Sequence, residues 1–227
     1  MEIRFLGQSA FELTEGDTTV LIDPFLTGNP LAVTSAEEHD PDVILLTHGH
    51  ADHYGDTVAI AKRTGAKVLA IVELAREIEG KGVENVLDPN LGGTVAFDWG
   101  WVKLVPAWHT AVTADGTPHV AAGLLISLGG KLIYHLGDTC LFSDMKLIAQ
   151  RGTPVDVAIV PIGGHYTMDR YDAVTACQFV DADTVIPCHY NTFPPIEADA
   201  EAFRSDVQNA GYAQVVVLDP GTTHTLQ

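Results

Sequence analysis

The chain has 227 residues, 46% hydrophobic and 19% charged, which excludes a disordered protein and is ample for a buried core. Twelve Lys and Arg stand against 30 Asp and Glu, a formal net charge of -18. With no Lys/Arg cluster in the sequence, no nucleic-acid partner is expected, because non-specific affinity for a phosphate backbone comes from cations that displace counterions.

The first stretch reads as β structure: Glu2 to Leu6, Ala10 to Leu13 after the Gly7 break, and Thr18 to Ile22 after the Gly16-Asp17 turn. Asp23-Pro24 ends it. Met1 to Leu6 lacks a basic leader, and no run reaches the ~18 apolar residues of a membrane span, so neither a signal peptide nor a membrane segment is expected. Asp42 to Leu46 is a continuous apolar run of the kind a buried strand shows, and a His-rich segment follows it directly. Thr57 to Arg63 predicts a helix ended by Gly65, and Lys67 to Val72 a strand.

The middle is again β-rich: Val83 to Leu87, Thr94 to Phe97, Trp101 to Val105, Ala121 to Leu128 and Lys131 to Leu136. Gly129-Gly130 predicts a tight hairpin between the last two. The final third alternates: helix Met145 to Ala149, strand Val155 to Val160, helix Tyr171 to Val180, strand Thr184 to Ile186, helix Ala198 to Ala210, strand Gln214 to Leu218. Alternation at both ends around hairpins in the middle suggests two sheets covered by helices on their outer faces. With no linker, low-complexity tract or repeat, one domain over 1–227 is the expectation. Cys140, Cys177 and Cys188 are odd in number and form no C-x-x-C pair, which suits a reducing cytoplasm.

The chemistry concentrates in Leu46-Thr47-His48-Gly49-His50-Ala51-Asp52-His53-Tyr54. In extended chain alternate residues share a face, so His48 and His50 can reach one ion. Asp52 and His53 fall where the chain should turn into a helix and can face a second. Gly49 and Ala51 let the backbone pass close by. Imidazole and carboxylate donors suit zinc, manganese or iron, and such dense ionisable groups repel one another unless a cation neutralises them.

This segment resembles the H-x-H-x-D-H signature of the metallo-β-lactamase superfamily, an α/β (α+β) fold with a four-layered αββα sandwich. Trp108-His109-Thr110, Gly137-Asp138-Thr139 and Pro187-Cys188-His189-Tyr190 stand in the order of the family's remaining ligands. The resemblance covers essentially the whole chain. It implies one site of His48, His50 and His109, a second of Asp52, His53 and His189, and Asp138 bridging two divalent ions, with zinc the first choice and manganese, iron or nickel open. Gly7-Gln8-Ser9-Ala10-Phe11 and His189-Tyr190-Asn191-Thr192-Phe193-Pro194 are similar to little-characterised bacterial metal-dependent hydrolases related to ascorbate-6-phosphate lactonases. That group commonly reads Gly-His-Ser, so Gln8 departs from it and keeps hydrogen bonding without a titratable proton.

The implied activity is attack by metal-activated hydroxide on a small ester, lactone or phosphoester, with Asp52 orienting the hydroxide and no Ser or Cys nucleophile. Asp23 reads either as the group that orients a ligand histidine or as a strand-ending turn. His165, after a buried strand and two glycines, reads as a substrate-facing residue or a turn histidine. His135 reads as buried and structural; His39, His119 and His224 as exposed. Cys140 and Cys188 read as small core hydrophobes. Trp99 and Trp101 suit strand packing, while Trp108 could line a pocket. A nuclease of the tRNA-processing type would need a basic path that is missing here. The di-iron oxygen-reducing signature has Glu in place of His50, and glyoxalase-type thioesterases add a helical C-terminal region. A non-catalytic metal-binding protein is the plainer alternative. Expected partners are a small-molecule substrate and no membrane, with a homo-oligomer left open.

Overall fold

The apolar runs of the chain become two seven-stranded sheets in the computed structural model, which describes residues 1–149 and 154–227. The first sheet holds β1 (Glu2–Gly7), β2 (Ala10–Glu15), β3 (Thr18–Ile22), β4 (Val43–Leu45), β5 (Lys67–Leu69) and β6 (Val86–Leu87). The second holds β7 (Thr94–Phe97), β8 (Gly100–Val112), β9 (Pro118–Leu128), β10 (Lys131–His135), β11 (Val155–Pro161), β12 (Ala182–Cys188) and β13 (Gln214–Val215). A last strand, β14 (Thr223–Thr225), returns to pair with β1.

Each sheet is half hairpin and half parallel. β14-β1-β2-β3 and β10-β9-β8-β7 run antiparallel, whereas β3-β4-β5-β6 and β10-β11-β12-β13 run parallel. Parallel neighbours need crossovers, and the helices supply them. α1 (Ala51–Tyr54) and α2 (Thr57–Thr64) join β4 to β5, and α3 (Val72–Gly80) joins β5 to β6. α4 (Met145–Ala149), α5 (Arg170–Val180) and α6 (Ala200–Asn209) make the equivalent connections in the second sheet. None of these helices is long and apolar enough to cross a membrane.

Period-two alternation divides the core between two layers. In β11, Val157 and Ile159 face the cluster shared by both sheets and α3, while Ala158 and Val160 face the one beneath α5 and α6. Helix ends follow their local chemistry. The Asp169 carboxylate accepts the Tyr171 and Asp172 N–H groups at 2.9 Å to open α5, and Gly65 in the left-handed region closes α2.

Several boundaries differ from the sequence expectation. The strand expected over Lys67 to Val72 stops at Leu69, and Val72–Gly80 is a helix. It buries Leu74, Ala75 and Ile78, a helical spacing hidden by the apolar run before it. The strands expected over Val83 to Leu87 and Gln214 to Leu218 shrink to two residues each. β8 and β9 run well past their expected ends because cross-strand pairing, not burial, sustains them there: Thr110 pairs Val120 and Val112 pairs Pro118 on an exposed face. Cys140, expected in the core, is exposed; Cys177 and Cys188 are buried. At the Gly129-Gly130 turn both residues take positive φ, as the tight hairpin requires.

Candidate metal centre

Four strand ends converge on one edge of the sandwich. Beyond β4, Leu46 still pairs with Leu69, and the chain then delivers buried His48, passes His50 and enters α1, whose first turn carries Asp52 and His53. From the second sheet come His109 on β8, within the break in register between Pro106 and Thr110, then Asp138 after β10 and His189 directly after β12. The sheets are tied here by the Ala122 N–H donating to Thr47 O at 2.9 Å and the His189 N–H donating to Gln8 O at 2.8 Å.

The seven side chains form overlapping trios. His48, His50 and His109 make one, Asp52, His53 and His189 another, and His48, His53 and Asp138 a third, each with its donor atoms within 4.8 Å of one another. His48 Nε2 lies 3.0 Å from His50 Nδ1, and His109 Nε2 lies 3.4 Å from that same nitrogen. Asp138 Oδ2 is central: it is 3.1 Å from His189 Nε2, 3.4 Å from His53 Nε2, 3.7 Å from His109 Nε2 and 3.9 Å from His48 Nε2.

Buried Asp23 organises the first-sheet half. Its Oδ1 accepts the Thr47 N–H at 2.8 Å, and its Oδ2 accepts the Thr47 hydroxyl at 2.5 Å. The same Oδ2 lies 2.8 Å from His53 Nδ1, so Nδ1 donates and Nε2 is turned toward the trio. The contact with His53 is the one that the orienting reading of Asp23 expects. Gln8, fully buried, donates from Nε2 to Asp52 Oδ2 at 2.9 Å. His119, expected to be exposed, is half-buried and accepts the Gly49 N–H on Nε2 at 2.8 Å while Nδ1 faces Thr117 O at 3.1 Å. A Cβ at Gly49 would meet the His119 and Thr113 side chains at 2.8 Å, so only glycine fits between the two histidines. Sequence reasoning missed His119 because its partner is a backbone amide 70 residues away.

His135 behaves as expected of a buried structural residue: it accepts the Gly137 N–H on Nδ1 and donates from Nε2 to Ser9 O. His39 and His224 differ from expectation. His39 is buried against Glu12 Oε2 at 2.6 Å, and His224 is half-buried on β14 opposite Ile3.

The charge balance fits a cation. Burial raises the Asp138 carboxyl, but His189 and His53 outweigh it and hold the group well below the usual carboxylate range. Burial lowers His189, yet the Asp138 and Asp52 carboxylates push it up to about 9. Burial dominates at His48 and lowers it well below the ordinary imidazole value. Asp138 Oδ1 and His53 Nε2 are buried without a hydrogen-bond partner among the described residues. Orphaned polar atoms of this kind cost about 1–3 kcal/mol each unless something satisfies them. Their all-nitrogen-and-oxygen donor set suits a divalent ion. Burial keeps the Cys188 thiol well above its ordinary range, so it stays protonated and packs as a core residue.

A cavity of about 440 Å³ opens above the cluster. His50, Asp52, His109, Asp138 and His189 form its floor, and Ala51, Tyr166, Phe193 and Pro195 its remaining wall. His165 is exposed and outside this lining, its ring edge-on to Tyr166 with centroids 4.4 Å apart. Trp99 and Trp101 pack against the two cores, and Trp108 is 67% exposed outside the lining.

Residues 2–189 match the model of the β-lactamase superfamily domain. A UPF0173 metal-dependent hydrolase of Thermus thermophilus is 49% identical over 222 residues, covering 97% of each chain. Another, from Methanopyrus kandleri, is 45% identical and covers 99% of each. Among solved structures, Igni18, a metallo hydrolase from the archaeon Ignicoccus hospitalis, superposes with a TM-score of 0.90 at 39% identity, over 100% of this chain and 98% of its own. The chain therefore belongs to the β-lactamase superfamily domain family, among its metal-dependent hydrolases of the metallo-β-lactamase fold.

Proposed function

We propose that the protein hydrolyses a small ester, lactone or phosphoester at a centre of two divalent cations. The reading is carried by Asp138 Oδ2, which faces imidazoles of both outer trios, 3.7 Å from His109 and 3.1 Å from His189, at the floor of the cavity. His48, His50 and His109 would hold one ion, Asp52, His53 and His189 the other, with Asp138 shared; zinc is the first metal to test. When bound, such a pair supplies an acidified water and polarises the acceptor oxygen.

The residues of the chain provide orientation and proton handling. The Asp23–Thr47 pair fixes His53 through Nδ1, so that Nε2 points inward without searching for a rotamer. Gln8 holds Asp52 through Oδ2 and so fixes the carboxylate at the floor of the cavity, where it would take a proton from the attacking water and return it to the leaving group. Tyr166 would present its ring to substrate in the cavity wall, with the His165 ring edge-on against it. Among the described residues no Ser or Cys lines the cavity, which agrees with direct attack by water. Its volume suits a small molecule.

Initial rates on a phosphodiester, a phosphomonoester, a lactone, an ester and a thioester test the reading, with metal-loaded protein compared against Asp138→Ala. One class should be turned over, and the variant should lose more than about a hundredfold, since even partners outside the coordination shell are worth about 10–100-fold. Equal rates for the two proteins on every substrate would reduce the centre to a metal-binding one.

A further inference from the structure

We propose that the substrate carries an uncharged, apolar or aromatic group seated against Phe193 and Tyr166, and no phosphate away from the bond that is cleaved; this rests on the hydrolytic reading above. The part of the cavity not built from the trios consists of Ala51, Tyr166, Phe193 and Pro195, none of them charged. Among the described residues, no Lys or Arg lines it. A phosphate on the non-reacting end of a substrate would lose water there and meet neither a guanidinium fork nor an ammonium. The start of α1, which opens onto this space, already carries the Asp52 carboxylate in its first turn. The net charge of -18 further disfavours a second anionic group on the incoming molecule.

The wall is also preorganised for an apolar group. Phe193 is followed by Pro194-Pro195, the turn Pro194–Ile196 closes with the Ile196 N–H donating to Phe193 O at 3.0 Å, and the Asn191 N–H donates to Ile196 O at 2.9 Å. The Phe25 ring lies tilted beside that of Phe193, with centroids 6.4 Å apart. Tyr166 keeps 56% of its surface exposed at the mouth, an aromatic face that no core packing accounts for. Rigid aromatic walls bind flat apolar groups at little entropic cost.

The test uses zinc-loaded protein and two non-hydrolysable amides with a common acyl part, one bearing a phenyl group and the other a phosphorylated group of similar size. Calorimetric titration should give the phenyl amide at least about tenfold tighter binding. Phe193→Ala should remove most of that preference and Phe193→Leu should keep part of it. With the matching esters, the loss in Phe193→Ala should fall on KM more than on kcat. Equal or tighter binding of the phosphorylated amide, no binding of either, or an unchanged preference in Phe193→Ala would each overturn the inference. If neither ester is turned over while the amides still discriminate, the ester part of the hydrolytic reading falls and the selectivity of the cavity stands.

Discussion

The two sheets supply the candidate centre in opposite ways. The first contributes His48, His50, Asp52 and His53 from six consecutive positions after one strand, and side chains hold them: the adjoining Thr47, Asp23 just after β3 and Gln8 in the turn after β1, with His119 bracing the Gly49 amide. The second contributes His109, Asp138 and His189 from three separate strands, and backbone geometry holds them. His109 sits at a break in strand register, Asp138 follows Gly137 at φ +66°, and His189 itself has φ +54°. A contiguous motif can be tuned by its hydrogen-bond partners, whereas dispersed residues are only as accurate as the turns that present them.

That contrast breaks most sharply at Gly137. A Cβ there would lie 2.5 Å from Ala122 O, in a conformation that side chains rarely adopt. Gly137→Val should therefore cost about 3 kcal/mol or more of folding stability, visible as a large drop in the denaturant midpoint. An unchanged midpoint would show that the second-sheet half does not depend on its turns.

Asp23→Asn should act differently. The fold should survive, because Thr47 keeps one acceptor, but His53 loses the carboxylate on Nδ1. Metal affinity measured by competition with a chelator should fall about 10–100-fold. A loss of stability with unaltered affinity would assign Asp23 to packing alone.

His119→Ala sharpens the comparison at smaller scale. It leaves the Gly49 N–H unpaired between two candidate ligands, and metal affinity should weaken by about tenfold, with His119→Gln restoring part of it through its amide oxygen. A smaller effect still is expected with pH. His189 is raised from the ordinary imidazole value of about 6.5 to about 9 by the Asp138 and Asp52 carboxylates, against the lowering by burial. Its contribution to stability is complete below the ordinary value and is lost as pH rises through about 9. Protein stripped of metal should show a thermal midpoint that declines between about pH 7 and 9, while zinc-loaded protein should hold its midpoint, because the ion takes the place of the proton. A flat profile in the stripped protein would contradict the charge balance around Asp138.

How much of this was legible in the sequence follows the same division. Most strands and helices were readable from apolar periodicity, though not α3 or β14, and the first-sheet cluster from one dense segment. His109, Asp138 and His189 stood out only through their resemblance to a family pattern and their places at strand ends, since a lone histidine after an apolar run has no local mark of function. α3 was hidden because Val68 to Val72 is an unbroken apolar run, and Leu74, Ala75 and Ile78 reveal their helical spacing only once the strand is known to stop at Leu69. His119 and His39 were misplaced because their polar neighbours in sequence say nothing of the Gly49 amide and the Glu12 carboxylate that they meet across the fold. Tyr166 was overshadowed by the titratable His165 beside it, although it is the tyrosine that lines the cavity.

The most direct test of the two-cation centre is metal stoichiometry. Stripped protein titrated with zinc, with the bound metal counted by elemental analysis, should take up two ions per chain, and Asp138→Ala should retain no more than one. Wild-type protein that saturates with a single ion, or a variant that still binds two, would contradict a carboxylate shared between two sites.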